Sequence, residues 1–443
     1  MHRKRNKSLG LLELVAIALG GMVGGGIFTV LGVSVSLVGN LTPVAIAIGG
    51  AIAILAAYSY VKLGEFYRDE GATFSFFKRT YPRSHFASSA IGWVVIFGYI
   101  STLALYAYTF SSYAISGFAF ANDIWIRKLV AVGIILLFTL VNVWSVRGMG
   151  KIEDLMVYTK LIILVIISVI LIHFGAPNLS NFMQGLAEDA GQISFISVLI
   201  VSSLTFVAYE GFQLVINAVK EMRNPDKNIA RAIYLSITLA IVIYVLISVG
   251  AALAIPAKDI IMNKEYALAA GAGAVIGKIG SNLVILGAIL ATSSAISGTL
   301  FGSSRQVSVV SENGYLPAKL SNRKNGIPQN AVITMACISS LLILVGGLEL
   351  ILEFGSITFL LVSFLMALAN YKIRVQTKSS TILTLLAMGI LLMSSVLILY
   401  YEFCNQTYQM FSIVALYAIL TVGAYLFARK KEFQIKNNTR PQQ

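Results

Sequence analysis

Apolar residues along this chain run in blocks of about twenty, separated by short polar segments. At about 1.5 Å of helical rise per residue, such a block matches the ~30 Å hydrocarbon core of a bilayer. The pattern predicts about twelve transmembrane helices, at 11–38, 43–62, 88–118, 128–146, 154–174, 193–219, 231–254, 281–310, 330–347, 350–371, 382–401 and 409–428. No polar stretch is long enough to fold as a soluble domain. The expected architecture is therefore all-α and integral to a membrane, with residues 1–443 as a single transmembrane domain.

Composition agrees. The chain is 57% hydrophobic and 12% charged, where a soluble chain is about a quarter charged. Most of its surface is thus expected to face lipid. The net charge of +14 is spread over short loops, with no nucleic-acid module, so no nucleic-acid partner is expected. With the N-terminus in the cytoplasm, Lys and Arg in inner segments outnumber those in outer loops roughly fivefold. That bias predicts a multi-pass protein of the cell membrane with both termini cytoplasmic. The longest outer loop, 255–280, carries Lys258, Lys264 and Lys278 and is expected to hold a short helix.

The run Arg3, Lys4, Arg5 and Lys7 precedes an apolar stretch, as in a signal peptide. That stretch continues past Leu31 and has no small-residue cleavage site, so it reads as a retained first helix. Cys337 and Cys404 each fall inside a predicted helix and read as small apolar fillers. His2, His85 and His173 are scattered, without metal-ligand spacing, so no metal or cofactor is expected. The spans offer no His-Asp, Cys-His or paired carboxylates at workable spacing, which argues against a membrane enzyme. A sensor usually carries an output domain, and with tails this short none is expected.

Two spans are interrupted. The first contains Gly20, Gly21, Gly24, Gly25 and Gly26, ending in Ile27 and Phe28. Each interior glycine weakens a helix by about 1 kcal/mol relative to alanine. Such backbone either lines a cavity, where free amides can take a carboxylate, or packs closely, since Gly20 and Gly24 have GxxxG spacing. The sixth span carries Ala208, Tyr209, Glu210 and Gly211. A mid-span carboxyl is a functional signal, although a protonated Glu bonded within the bundle is the plainer reading. Interrupted spans at matching places in two halves point to a transporter site at the membrane midplane. Residues 11–174 would be one repeat, 193–371 its inverted copy and 382–428 two accessory helices.

Lys160 lies well inside the fifth span. It either snorkels to the interface or faces the bundle and exchanges a proton during transport. The eighth span carries Thr292, Ser293, Ser294, Ser297 and Thr299. These hydroxyls either bond back to their helix or let Ser293 and Ser294 coordinate a sodium ion or an ammonium. Phe28, Tyr99, Tyr106 and Phe206 are candidate gates among many aromatic fillers.

Three motifs in order carry a resemblance. They are Glu13 to Phe28, with its Gly-Gly-Gly-Ile-Phe ending; Tyr209-Glu210-Gly211-Phe212 followed by Glu221 to Ile233; and Glu312 to Pro317 with Ile327 to Ala331. Together they resemble the amino acid–polyamine–organocation superfamily of permeases, over roughly residues 8–375. The resemblance is closest to the proton-coupled prokaryotic amino acid transporters. It implies a five-plus-five inverted repeat and alternating access. The substrate carboxylate would sit on the glycines of the first span, and its amine on carbonyls of the first and sixth. A fifth-span lysine would replace a sodium ion, and Lys160 falls at that place, with Gly20, Ser293 and Ser294 as its expected neighbours. Two departures stand out. Ala230 replaces a usual proline, and Glu210 stands where many relatives are neutral. The expected function is proton-coupled amino acid symport, with sodium coupling left open. The alternative is an exchanger or uptake system for cationic amino acids or polyamines, with Glu210 as the ammonium partner.

Overall fold

The computed structural model describes residues 9–144, 149–324 and 326–438. The basic run Arg3, Lys4, Arg5 and Lys7 lies outside them. Helices, in chain order, are α1a (Leu11–Met22) and α1b (Gly26–Val38), α2 (Thr42–Tyr67), α3 (His85–Ile115), α4 (Ile124–Trp144) and α5 (Met149–Gly175). Then follow α6a (Phe195–Leu204) and α6b (Leu214–Asn217), α7 (Pro225–Ala254), α8 (Lys278–Glu312), α9 (Gln329–Val345), α10 (Leu348–Lys372), α11 (Thr381–Asn405) and α12 (Thr407–Asn438). Ten helical stretches among the described residues are long and apolar enough to cross a membrane. The apolar helices α1a and α9 are shorter, the first because its span is interrupted.

The predicted spans and these helices agree, with three local differences. The 255–280 loop folds into two short helices, Ala257–Met262 and Ala267–Ile276, rather than one. Ala72–Thr80 and Leu179–Gln192 are helices in segments read as loops. Both lack the long apolar run that marks a span, so hydropathy is blind to them. α12 continues to Asn438 because a helix does not stop at the membrane surface when Arg429, Lys430 and Lys431 can be solvated.

Packing sorts the helices into an inner and an outer set. α3 and α10 are the most enclosed, and α8 runs along α3, α5 and α9. α7 packs on α2 and α5, and α10 lies between α3 and α11. α4 and α12 leave most of their apolar surface open. Leu129, Leu137 and Leu140 on α4, and Phe411, Ile419 and Leu426 on α12, are exposed. Each would cost about 1.5–3 kcal/mol against water. Hydrocarbon removes that cost, so these faces meet lipid.

Candidate functional site

α1a ends at Met22 and α1b starts at Gly26, with Val23 leaving helical geometry between them. A helix end exposes carbonyls that have no partner along the chain. Here three successive carbonyls are each met by a side chain from a different helix, and the last of them, Met22 O, also accepts from Gly24 N across 2.9 Å. Lys160 on α5 donates to Gly20 O across 2.8 Å, Tyr106 on α3 donates to Gly21 O across 3.2 Å, and Tyr244 on α7 donates to Met22 O across 2.8 Å. The same Tyr244 hydroxyl lies 3.0 Å from Ala208 O in the second break.

That second break follows α6a. Thr205–Tyr209 tighten into a 3₁₀ turn, and Glu210 is extended. Gly211 has φ +132°, where a side chain is strained, before the single turn of α6b. A Cβ at Gly211 would lie 2.6 Å from backbone atoms of Gly21 and Met22. One at Gly26 would lie 2.8 Å from Ala208 Cα. The two breaks therefore meet backbone on backbone, a contact that only glycine permits.

Lys160 is fully buried, so it faces the bundle and does not snorkel. Its ammonium also donates to Ser294 Oγ across 2.8 Å. Ser294 in turn donates to Ala291 O across 3.0 Å, so its hydroxyl serves its own helix and the lysine together. Ser293 is buried beside it on α8. The lysine thus joins α5, α8 and the end of α1a.

Two cavities adjoin the breaks. A small pocket of about 20 Å³ is lined by Gly21, Gly211, Glu210, Tyr99, Tyr106 and Gln306, among others. That is room for about one water, well below the volume that holds an amino acid. It shares Gly21, Asn217, Gly298, Thr299 and Gln306 with a cavity of about 760 Å³, which runs past Gly20 and Ser294 to Asp69, Glu70 and Lys220. Glu210 is buried in the small pocket. Its Oε1 accepts from Gln213 Nε2, while Oε2 has no partner among the described residues.

The sequence candidates divide accordingly. Gly20, Gly211 and Glu210 line cavities, as do Ser294, Tyr99 and Tyr106. Gly24, Gly25 and Gly26 line neither. A Cβ on Gly24 would meet Ala295 and Tyr106, and one on Gly25 would meet Thr109, so these two glycines are closely packed while Gly20 and Gly21 line cavities. Ala208 contributes its carbonyl. Tyr209 points away, donating to Ile46 O on α2 across 2.8 Å. Phe28 and Phe206 are fully buried and line neither cavity. Cys337 and Cys404 are free and exposed.

Tyr244, Gln213, Asn217 and Gln306 were not singled out by spacing. A polar residue inside an apolar run was the available signal, and it is shared by many side chains that only bond their own helix. The expectation of no paired carboxylates needs correction. Glu353 on α10 and Glu402 on α11 face each other, both buried. Tertiary packing makes that pair, so no chain spacing records it.

The end of the bundle opposite the large cavity is closed. The Ala257–Ile276 segment lies on α1b, where a Cβ at Gly32 would run into the Lys264 backbone. Its Lys264 pairs with Glu349 on α10, and Glu265 pairs with Arg127 on α4 and accepts from Tyr108 on α3 across 3.2 Å.

A family model for amino acid permeases matches residues 9–425. The inner membrane transport protein YbaT of Escherichia coli is 31% identical over 297 residues, 67% of this chain and 67% of that protein. An uncharacterized protein of Methanocaldococcus jannaschii is 25% identical over 437 residues, 98% of each chain. The human large neutral amino acids transporter small subunit 2 is 27% identical over 357 residues, 76% of this chain and 64% of that protein. A crystal structure of a mutant of the manganese transporter of Eremococcus coleocola matches over 95% of this chain and 96% of its own, with TM-score 0.61 and 13% identity. That likeness is one of fold.

Proposed function

We propose, since this chain belongs to the amino acid permease family, that it imports amino acids together with protons by alternating access. It is a multi-pass membrane transporter of amino acids, not an enzyme.

The observation that carries the coupling is Lys160. An ammonium held between Gly20 O and Ser294 Oγ is a cation at a fixed place beside the broken helix. Loss of its proton removes a charge-assisted hydrogen bond, roughly twice as strong as a neutral one, from the end of α1a. Proton exchange at this atom therefore changes how firmly α1a is held against α5 and α8. The glycine amides at 24–26 begin a half-helix whose dipole favours a carboxylate. In the arrangement described, Tyr106 and Ala295 pack against Gly24, so substrate entry requires them to move. The substrate ammonium would replace Tyr244 on Met22 O and Ala208 O, having three N–H donors where the hydroxyl has one.

The charge bias of the loops supports both termini in the cytoplasm and a place in the cell membrane. With that orientation the large cavity opens inward, and the Lys264 and Glu265 pairs close the outer face. Residues 11–174 and 193–371 act as the two repeats that rock about the breaks, with 382–428 appended.

A second reading concerns cargo. The unpartnered Oε2 of buried Glu210 beside the pocket favours a substrate with an extra cationic group, hence cationic amino acids or polyamines, by uptake or exchange. Radiolabelled uptake into proteoliposomes tests both readings, with a panel of amino acids, with and without sodium and an imposed pH gradient. Accumulation that follows the pH gradient without sodium supports proton symport. Accumulation that requires sodium, or flux only against preloaded substrate, overturns it.

A further inference from the structure

Away from both breaks, a second group of ionisable side chains is enclosed between α10 and α11. Glu353 is 3% exposed and Glu402 is fully buried. Glu353 Oε2 and both oxygens of Glu402 have no hydrogen-bond donor among the described residues. Carboxylates only accept hydrogen bonds, so two of them turned toward each other without a donor repel. A proton on either one supplies the missing donor and removes one charge. Among the described residues no group of three or more His, Cys, Asp or Glu side chains is arranged to hold a metal ion.

We propose that Glu353 and Glu402 bind one proton between them, forming a proton site separate from Lys160 and the substrate pocket, whose occupancy sets how firmly α11 is held against α10. The surroundings fit this role. Glu349 lies toward the end of α10 and is paired with Lys264 of the outer segment and with Gln406. Tyr401 is the ionisable neighbour on α11. From the other helices packed on α10, α12 presents Tyr417, which shares a hydrogen bond with Thr358 across 2.7 Å, and α3 presents Ser101. The sole cation among these is Lys264, which already holds Glu349. Ionising both acids would place three carboxylates together against one ammonium.

The pair also has a route to the transport site. Ser101 on α3 donates to Ile351 O across 2.8 Å, and Ser356 on α10 donates to Leu204 O, the last residue of α6a, across 2.8 Å. These bonds flank Glu353 within a turn or so on either side. A change in how α10 seats against α11 is therefore felt at the start of the second break.

The test uses full-length purified protein and its variants Glu353→Gln and Glu402→Gln. Infrared difference spectra should show a protonated carboxyl band in wild type at neutral pH. Each Gln variant should remove it, while Glu210→Gln, made in the other pocket, should leave it. Thermal unfolding should show wild-type Tm falling as pH rises from 6 to 9, with at least half of that fall lost in either variant, because an amide donates at every pH. A band and a pH dependence unchanged in both variants would overturn the proposal. So would restoration of wild-type Tm at pH 9 by sodium alone, since the pair would then be holding a metal cation.

Discussion

The ammonium of Lys160 donates to the carbonyl oxygen of Gly20 across 2.8 Å, tying the middle of α5 to the last turn of a helix that stops at the break before α1b. If this ammonium exchanges a proton, as proposed, the bond carries that change to α1a. A lysine on the lipid side of α5 would have no such lever.

Replacement of Lys160 by alanine is expected to abolish pH-driven accumulation while substrate exchange persists. One charge moved through 100 mV supplies about 2.3 kcal/mol, or about 50-fold accumulation. The variant should level near unity in proteoliposomes under the same gradient. Retained accumulation would remove Lys160 from the coupling role.

Glu210→Gln should change competition rather than fold. Gln213 still has a partner in the new amide, and the pocket keeps its shape. If Glu210 receives a cationic side chain, inhibition of uptake by arginine, lysine or putrescine should fall at least tenfold, with neutral amino acids little affected. A cationic preference that survives in the variant shows that the selectivity arises elsewhere.

Gly211→Ala is expected to be far more damaging than its size suggests. The new Cβ would strike the backbone of Gly21 and Met22 at 2.6 Å, and φ +132° is strained for any side chain. Strain of this kind costs about 1–3 kcal/mol before the clash is counted. Thermal unfolding in detergent should show a clearly lowered Tm, and uptake should be lost. A neutral substitution would mean that the breaks do not touch as described.

Lys264→Ala should loosen the closed face. The pair with Glu349 is partly exposed, so its contribution is about 0.2–1 kcal/mol. A cysteine placed at Ser34, in a background lacking Cys337 and Cys404, should react up to about fivefold faster with a membrane-impermeant thiol reagent added outside. Labelling from the inner side only, at an unchanged rate, would contradict the proposed orientation.

Hydropathy located the spans because lipid selects on run length alone. The two breaks were legible for a related reason, since glycine clusters and a mid-span carboxyl are costly enough to stand out. Lys160 was legible as a charge, but its direction was not, because snorkelling and burial have the same sequence signature. Tyr244 illustrates what was hidden. A tyrosine in an apolar run is ordinary, and only the fold brings its hydroxyl to Met22 O and Ala208 O together. Tyr209 is the converse, named for its neighbours in the motif yet turned toward α2. Glu353 and Glu402 lie on different helices, and their meeting is a property of packing that no periodicity encodes.

At Gly21 and Gly211 the two interrupted helices touch through atoms that every amino acid possesses. Such a joint has nothing to mutate except by adding bulk, which jams it. Changes to Glu210, Gln306 or Asn217 can recast the walls while the bearing keeps its gauge. If these walls select the cargo, as proposed, one chassis could thus be refitted for new freight without being realigned.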